Sequence, residues 1–366
     1  MRILFIAPLP PPVTGHSLAS LVLRDALAPH HTVDVVDLSV GSANDGSVST
    51  LRIVEVLRVL WAVLRKRNAD VIYLTIAESV AGNIKDLLIY LLCVGRLSRV
   101  CIHLHGGTIG RELFERRPLL RWLNAAAIGR VGAVVISGDA HRGIFAAMIG
   151  PERTHLVPNF AQEQLFVSEA AIRAKFSDRR VLRVLYLSGM TTGKGYRDLA
   201  DAYRALPAAL RARITVEFAG RFDHDEERRA FEAEVADEPG MTYHGFVDDA
   251  TKQRLFAEAH VFCLPSAFFE GQPISILEAY ASGCLVIATG QAGIRDVFRD
   301  GTNGFEIAAH EPTTIGRAFA RIVDAEEQLE AMALGNRAEA GAQYRTATFT
   351  GRMRRILEAL APSATR

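Results

Sequence analysis

Two stretches of the chain begin in the same way, and this repetition limits the possible fold more than any other feature. The β-rich run "RILFIA" at 2–7 is followed by a loop with Gly15 and then by a helix from about residue 16. The run "LRVLYLS" at 182–188 is followed by a loop with Gly193 and Gly195 and by another helix. Because short strands and helices alternate along the chain, the sequence predicts a parallel α/β fold.

The length of the chain predicts that this pattern is divided between two domains. A single hydrophobic core stops growing at roughly 250–300 residues, and the chain has 366. A polar connector, "AQEQLFVSEAAIRAKFSDRR", separates the halves. We therefore predict an N-terminal Rossmann-like domain at 1–165, a second at 166–345, and a last helix at 346–366 that either completes the second domain or packs back on the first. Further strands are predicted at 32–37, 70–76, 99–105, 133–136, 154–157, 213–219, 241–243, 261–264 and 285–289.

Composition favours a folded protein of a reducing compartment. Hydrophobic residues make up 49% of the chain and charged residues 23%, which is typical of globular proteins. The four cysteines form no C-x-x-C pair and lie in apolar stretches, so we expect buried free thiols and a cytoplasmic setting. The segment "MRILFIAPLPPPVTG" is expected to be a first strand rather than a signal peptide. The apolar run "LLIYLLCVG" is too short to cross a bilayer.

Charge is unevenly distributed along the chain, although the net charge is only +1. Basic residues outnumber acidic ones in the first 160 residues, and the reverse holds in the remainder. The stretch at 51–67 combines an apolar face and Trp61 with five basic residues: Arg52, Arg58, Arg65, Lys66 and Arg67. It fits either a core helix with a basic end or a helix in peripheral contact with the inner face of an anionic membrane. The basic excess is too small to indicate nucleic-acid binding.

The glycine-containing loops indicate an anionic guest. Helix N-termini in folds of this type point toward the ligand cleft, where exposed N–H groups and the helix dipole favour phosphate. Neither loop matches G-x-G-x-x-G, so a nicotinamide cofactor is not predicted.

The segment "FFEGQPISILEAYASG" at 268–283 places two carboxylates near such a helix start. Pro273 suits the first turn of a helix, and Ser282 with Gly283 ends it. Glu270 then lies in the preceding loop, and Glu278 lies inside the helix among apolar neighbours. Each could be an ordinary surface residue, but Glu278 has little free solvent face and needs a polar partner, such as a sugar or ribose hydroxyl.

The residues from "PSAFFEGQP" to "DGTNGF" resemble the E-x7-E region of the retaining glycosyltransferase family 4, which has the two-lobed GT-B fold. The stretches "LYLSGMTTGKGYRDLADAY", "VVISGDA" and "VPNF" are similar to other parts of that family. The resemblance implies two Rossmann-like domains that face a cleft, with the acceptor in the first domain and a UDP- or GDP-sugar donor in the second. It also implies synthesis of cell-surface polysaccharide or glycolipid, with a glycan or lipid-linked acceptor.

The resemblance also implies roles for individual residues. Glu270, Lys194 and His105 correspond to positions beside the transferred sugar and the leaving diphosphate. Glu278 corresponds to the glutamate that binds the nucleotide ribose. The set implied in donor binding is Gly15, Gly271, Gln272, Pro273, Ile274, Glu278, Gly189 and Arg221. No metal and no other cofactor is implied.

The chain departs from the family pattern at several positions. Gly189 stands where the family usually has an arginine five residues before the lysine, and Arg221 is a candidate substitute. Thr14-Gly15 replaces a double glycine, and Asp296 replaces a glutamate. Two alternatives therefore remain: a nucleotide-sugar epimerase with the same fold, and a non-catalytic nucleotide-sugar-binding scaffold subunit.

Two sequence patterns resemble metal sites, and we predict a structural role for each. His103 and His105 share a face of one strand as H-x-H ligands do, but further ligands lack a recognisable spacing. We therefore expect His103 to be structural. The run Asp223-His224-Asp225 resembles a D-x-D metal motif, but it precedes an acidic helix, and we expect it to cap that helix.

Overall fold

The computed structural model describes residues 1–39 and 50–362, and the side chains of 50–52, 326 and 327 lie outside this description. The chain divides into two compact units. The first unit comprises Met1–Asn159 and Ala347–Arg366, and the second comprises Phe160–Thr346. Each unit is a parallel α/β domain, so the predicted fold class of two Rossmann-like parallel-sheet domains is confirmed.

The first unit contains a six-stranded parallel sheet in the order β2-β1-β3-β4-β5-β6. Its central strands are almost wholly buried, as expected for a parallel sheet covered on both faces. All six correspond to predicted strands within a residue at either end. They are β1 (Arg2–Ala7), β2 (Thr32–Asp37), β3 (Val71–Thr75), β4 (Val100–Leu104), β5 (Ala133–Ile136) and β6 (Thr154–Leu156).

The helices of the first unit form a layer on each side of this sheet. Helix α1 connects β1 to the edge strand β2, and α2 leads back past β1 to β3. Helices α3 and α4 continue in that direction, to β4 and β5. Right-handed crossovers place these three helices on the face opposite α1. The bounds are α1 (Gly15–Leu27), α2 (Thr50–Lys66), α3 (Val80–Leu92), α4 (Pro118–Ile128) and α5 (Arg142–Phe145).

The last helix, α14 (Thr346–Ala359), belongs to the first unit from Ala347 onward. Its apolar side chains Phe349, Met353 and Leu357 are buried. The Phe349 ring lies 6.5 Å from the ring of His103 on β4, and Glu358 pairs with His31 at 3.2 Å. The sequence left the destination of this helix open, because its amphipathic pattern fits either domain.

The second unit contains a six-stranded parallel sheet in the order β12-β11-β10-β7-β8-β9. Five of its strands agree with predicted strands, and β12 was missed because its four residues begin with a glycine. The bounds are β7 (Leu182–Leu187), β8 (Ile214–Ala219), β9 (Met241–Tyr243), β10 (Val261–Leu264), β11 (Leu285–Thr289) and β12 (Gly304–Ile307).

The second unit begins before residue 166, the predicted boundary. Ala161 and Leu165 are buried in its core, and the Ala161 N–H donates to the Tyr344 carbonyl at 2.8 Å. The polar connector therefore packs as part of the second unit. The helices of this unit are α6 (Glu169–Ser177), α7 (Tyr196–Arg204), α8 (Ala208–Arg211), α9 (Asp225–Ala236), α10 (Asp249–Glu258), α11 (Ile274–Ala281), α12 (Pro312–Asp324) and α13 (Glu326–Gln343).

Within residues 1–39 and 50–362, every helix is too short or too polar to cross a bilayer. The run "LLIYLLCVG" lies at the end of α3 and in the short helical segment Val94–Arg99 that follows.

Candidate nucleotide-sugar site

The sheet of the second unit reverses its direction of growth between β7 and β10. From β7 the chain builds outward through β8 and β9, and it then returns to the other side of β7 to build β10, β11 and β12. In parallel α/β sheets, ligands bind beyond the carboxyl ends of the strands at such a reversal. The loops that follow β7 and β10 are therefore the expected ligand-binding loops of this unit.

These two loops bring together Lys194 and Glu270, which lie far apart in the sequence. The Lys194 Nζ lies 2.5 Å from the Glu270 Oε1. The Ser266 hydroxyl donates to the same carboxylate oxygen, also at 2.5 Å. Both charged side chains remain partly accessible. A cation and a carboxylate thus stand at the strand ends, where they can contact a bound molecule.

Close packing between the two loops explains the glycines of the "TGKG" segment. Gly195 has a left-handed φ of 78°, and a Cβ there would lie 2.2 Å from the Pro265 carbonyl oxygen. A Cβ on Gly193 would lie 2.4 Å from the Phe268 ring. At Gly195 only glycine fits without movement of the loop after β10, whereas a side chain at Gly193 would displace the exposed Phe268 ring. The backbone therefore fixes the position of Lys194 relative to Glu270.

The N-terminus of α11 is placed next to this pair. Gly271 and Gln272 are buried, and Pro273 is the N-cap residue. The Pro273 side chain forms no capping hydrogen bond. Because the first N–H groups of a helix lack intrahelical acceptors, those at the start of α11 can bind an anion. The predicted helix, with Pro273 at its start and Ser282 and Gly283 at its end, is confirmed.

The loop after β11 supports the same helix start. A Cβ on Gly293 would lie 1.5 Å from the Gly271 carbonyl oxygen, and the Gly293 N–H donates to the Glu270 carbonyl at 3.2 Å. The loop after β11 is therefore pressed against the backbone that precedes α11.

Glu278 lies deeper than Glu270 and has an internal partner that the sequence analysis did not find. It is 1% exposed, and its Oε1 lies 2.6 Å from the Nζ of Lys252 on α10. Lys252 also donates to the Gln162 side-chain oxygen at 2.7 Å. Burial raises the pKa of Glu278, and the neighbouring Lys252 opposes that shift. The polar partner that Glu278 requires is therefore Lys252.

Gly189 and Arg221 lie in the loops that follow β7 and its neighbour β8. A Cβ on Gly189 would meet no described atom within 4 Å. The Arg221 carbonyl accepts a hydrogen bond from the Met190 N–H at 2.9 Å, and its side chain is exposed. Arg221 is therefore at the same sheet edge as Gly189, as a substitute cation must be.

The first unit has a different set of side chains at the carboxyl ends of its strands. The ring of His105, just after β4, lies 4.4 Å from that of His16 on α1 and 3.9 Å from that of His103. Gly15 is the first residue of α1, whose start is capped by Thr14 and Ser17. These three histidines form what we call the histidine stack.

The histidine stack is neutral at physiological pH. Burial lowers the pKa of His16 to about 4, helped by Lys85, and that of His103 to about 3. Burial also lowers the pKa of His105 well below its ordinary value. His103 Nδ1 and the Tyr73 hydroxyl are 2.8 Å apart, in keeping with a structural role for His103. Neutral imidazoles can exchange hydrogen bonds with hydroxyl groups.

The acidic run before α9 differs in part from its predicted role. The N-cap residue is His224, and its side chain forms no capping hydrogen bond. Asp225 is the first residue of the helix and pairs with Arg228 at 3.2 Å instead. Across residues 1–39 and 50–362, no three His, Cys, Asp or Glu side chains are grouped so as to hold a metal ion.

Sequence reasoning missed Lys252, Ser266 and His16. Lys252 lies 26 positions before its partner, on a helix whose pattern resembles an ordinary surface helix. Ser266 was available as a signal, because it follows a buried strand at the switch between β7 and β10. His16 gave no local signal, because its neighbour His105 follows β4, which β3 separates from β1 in the sheet.

Comparison with known proteins identifies a domain within the second unit. Residues 182–325 match the family model described as "Glycosyl transferases group 1". The matched segment begins with β7 and includes Lys194, Glu270, Lys252 and Glu278.

Curated relatives share part of the chain. A D-inositol 3-phosphate glycosyltransferase of Streptomyces griseus is 38% identical over 77 residues, which are 21% of this chain and 16% of the relative. A phosphatidyl-myo-inositol mannosyltransferase of Mycolicibacterium smegmatis is 28% identical over 165 residues, which are 44% of this chain and 42% of the relative. The chain thus spans less than half the length of either relative.

A solved structure extends the likeness in fold. The Anabaena protein Alr3699/HepE, in complex with UDP and glucose, has a TM-score of 0.72 at 18% identity. The match covers 98% of this chain and 100% of that protein. At this identity the likeness concerns the fold, and it agrees with the GT-B architecture expected from the sequence.

Proposed function

We propose that the protein is a retaining glycosyltransferase of family 4 that moves a sugar from a UDP- or GDP-sugar to an acceptor hydroxyl. One observation carries the proposal: Lys194 and Glu270 meet at the switch between β7 and β10, inside the segment that matches the glycosyltransferase model. The names of the relatives refer to inositol 3-phosphate and phosphatidyl-myo-inositol, which supports glycolipid or cell-surface polysaccharide synthesis.

In the proposed reaction the bond between the sugar C1 and the diphosphate oxygen breaks. The acceptor oxygen bonds to C1 on the same face, and its proton passes to the departing diphosphate. Lys194 and the N-terminus of α11 stabilise the negative charge that develops on the diphosphate. The second unit holds the donor, and the first holds the acceptor.

The existing ion pair keeps Lys194 in place before the donor binds. When the diphosphate takes over the ammonium group, the Glu270 carboxylate becomes free to accept hydrogen bonds from sugar hydroxyls. Ser266 keeps one oxygen of that carboxylate occupied, which limits its rotation. The pair therefore acts as a preformed site rather than as a static structural bridge.

Glu278 is proposed to accept a hydrogen bond from the nucleotide ribose. Lys252 holds one of its oxygens, so the remaining acceptor positions of the carboxylate serve the ribose. In the first unit, His105 is proposed to bind a hydroxyl of the transferred sugar as a neutral imidazole.

We further propose that catalysis requires no divalent metal. Lys194, with Arg221 at the neighbouring strand end, supplies positive charge for the diphosphate. A cytoplasmic location at the inner face of the membrane fits a lipid-linked acceptor.

The proposal is tested by incubating the purified protein with UDP- and GDP-sugars and with a set of glycan and lipid-linked acceptors, with and without EDTA. We expect a product whose anomeric configuration matches that of the donor, measured by NMR, and a rate that EDTA does not lower. A product of inverted configuration would contradict the retaining mechanism.

Two other outcomes would assign a different function. Epimerised sugar released without any acceptor would favour a nucleotide-sugar epimerase. Nucleotide binding with no turnover of any donor would favour a non-catalytic scaffold subunit, in line with the missing arginine at Gly189.

A further inference from the structure

The first unit carries an apolar surface that its fold does not use. Of 17 large hydrophobic side chains exposed among the described residues, 12 lie between residues 53 and 123 on α2, on α4, and on α3 or just after it. The clearest examples are Leu57, Trp61, Leu88, Leu91, Leu119 and Trp122. We call this set of exposed side chains the three-helix face.

The three helices present these side chains in one direction. They pack side by side on the same face of the sheet, and their inner sides fill the core with Val63, Ile89 and Ile128. On α3 the exposed Ile84, Leu88 and Leu91 follow a spacing of four and three residues, which is one stripe of a helix. A monomeric domain rarely exposes so much contiguous apolar surface without a partner.

Exposed basic side chains outnumber exposed acidic ones around the three-helix face, where the exposed acidic residues are Glu112 and Glu115. Arg58 and Arg65 are exposed on α2 and Arg67 just after it, and Arg117 and Arg121 are exposed at the start of α4. The Arg65 guanidinium lies 4.6 Å from the centre of the Trp61 ring. Both tryptophans of the chain, Trp61 and Trp122, are on this face, 58% and 66% exposed.

We propose that the three-helix face docks the protein on an anionic lipid surface. Exposed leucines enter the boundary between headgroups and acyl chains, tryptophan rings lie at the interface, and arginines contact lipid phosphates. The sequence had indicated membrane contact only for the basic helix at 51–67. The three-helix face is wider, because α3 and α4 contribute exposed apolar side chains of their own. The side chain of Arg52 lies outside the described residues.

This proposal goes beyond the transfer reaction and stands without it. The three-helix face belongs to the first unit, whereas Lys194, Glu270 and Glu278 belong to the second. A test by lipid binding can therefore fail while nucleotide binding succeeds, and the reverse.

The test uses the full chain and vesicles of phosphatidylcholine alone or with about 30% phosphatidylglycerol, enough to give a negative surface potential. We expect the protein to sediment with the anionic vesicles and the tryptophan emission to shift to shorter wavelength. With both tryptophans on this face, the fluorescence reports its contact directly. Raising the salt concentration should weaken the binding.

Two sets of substitutions separate the apolar and the charged contributions. The triple variant Leu57→Gln, Leu91→Gln and Leu119→Gln, one change on each helix, should weaken binding at least about 100-fold. The triple variant Arg58→Gln, Arg65→Gln and Arg121→Gln should weaken it by roughly fivefold for each arginine. Glutamine forms helices well and all six positions are exposed, so both variants should keep the thermal unfolding midpoint of the parent.

Matched controls in the second unit are Phe246→Ser and Arg317→Gln, which remove an exposed aromatic ring and an exposed arginine. Both should leave vesicle binding unchanged. The proposal would be overturned by failure to bind anionic vesicles, or by binding that neither triple variant weakens. It would also be overturned if the parent chain self-associated without binding lipid and the leucine variant were monomeric, since the face would then be a protein interface.

Discussion

The strand ends of the two units differ in charge. In the second unit, Lys194 and Glu270 form a partly accessible ion pair beside a helix start whose N-cap residue, Pro273, forms no side-chain hydrogen bond. In the first unit, three neutral histidines stack on one another, and Thr14 and Ser17 cap the nearest helix start. The same kind of parallel sheet thus supports one site suited to an anion and one suited to uncharged hydroxyl groups.

The difference follows from which loops each sheet brings together. In the second unit, glycines let the loops after β7 and β10 approach closely, so two charged side chains meet. In the first unit, the start of α1 and the end of β4 carry imidazole side chains, and burial keeps them neutral. Under the proposed function the diphosphate binds to the second unit, and variants of either unit can test this contrast.

The largest expected effect is the loss of transfer activity on removal of the charged pair. Lys194→Ala should lower kcat by roughly 100- to 1,000-fold, because a preorganised positive charge at the leaving group is lost. Glu270→Ala should lower kcat by a similar factor, because the carboxylate that positions Lys194 and binds the sugar hydroxyls is lost. His105→Ala should cost only about tenfold, since a neutral imidazole offers a single hydrogen bond. Initial rates at saturating donor measure kcat for all three variants. Asp225→Asn, on α9, is the matched control and should keep full activity.

Unchanged turnover in both Lys194→Ala and Glu270→Ala would contradict the assignment of these two residues to the site.

The next effect distinguishes the Lys194–Glu270 pair from the Lys252–Glu278 pair. Lys252→Met should lower the free energy of unfolding by about 3 kcal/mol, because it leaves the buried Glu278 carboxylate without its partner. Lys194→Met should cost less than about 1 kcal/mol, since its pair is more accessible. Urea unfolding measures the free energy of unfolding of each variant.

Adding Glu278→Met to Lys252→Met supplies the control for this comparison. Removal of both partners should restore most of the lost stability. A double variant no more stable than Lys252→Met would show that the cost arises from packing rather than from an unpaired charge.

The structure also separates what the sequence could and could not predict. The position of each strand except β12 and the bounds of α11 could be predicted, because β-branched runs, Pro273 and Gly283 are local signals. The pairing of Glu278 with Lys252 could not, because it depends on how α10 packs against α11. The boundary before Phe160 was missed for a similar reason, since a polar segment can still bury Ala161 and Leu165.

A moderate pH effect tests the neutrality of the histidine stack. The folded-state pKa of His103 is about 3, well below its unfolded value, so the unfolded chain binds more protons as the pH falls below about 6.5. Stability should therefore be greatest above about pH 6.5 and should fall toward about pH 4, by at most about 1.4 kcal/mol per pH unit for each such histidine.

Urea unfolding at about pH 7.5, 6.0 and 5.0, on either side of the unfolded histidine pKa, checks this dependence. His103→Asn should show a shallower decline than the parent, and the exposed His224→Asn should show the same decline. The reduction should be partial, because burial also lowers the pKa of His16 in the stack and of His260 in the second unit to about 4. An unaltered decline in His103→Asn would contradict a neutral stack.

The smallest expected effect concerns the missing arginine. Because no described atom lies within 4 Å of a Cβ at residue 189, Gly189→Arg should be accommodated and should add a cation near the diphosphate. We expect about five- to tenfold tighter binding of UDP or GDP by calorimetry. Gly189→Gln, of similar size without charge, should not tighten binding. Equal affinities in the two variants would show that this position does not face the diphosphate.

We propose above all that the second unit binds a nucleotide diphosphate through Lys194. The most direct measurement is thermal unfolding with UDP, GDP, ADP and CMP, with and without EDTA, for the parent chain and for Lys194→Ala. A ligand at about 100 times its dissociation constant adds about 2.7 kcal/mol, which raises the midpoint by several degrees. The account predicts such a shift with UDP or GDP, unchanged by EDTA and reduced in Lys194→Ala. The absence of a shift with any nucleotide, or an equal shift in Lys194→Ala, would contradict it.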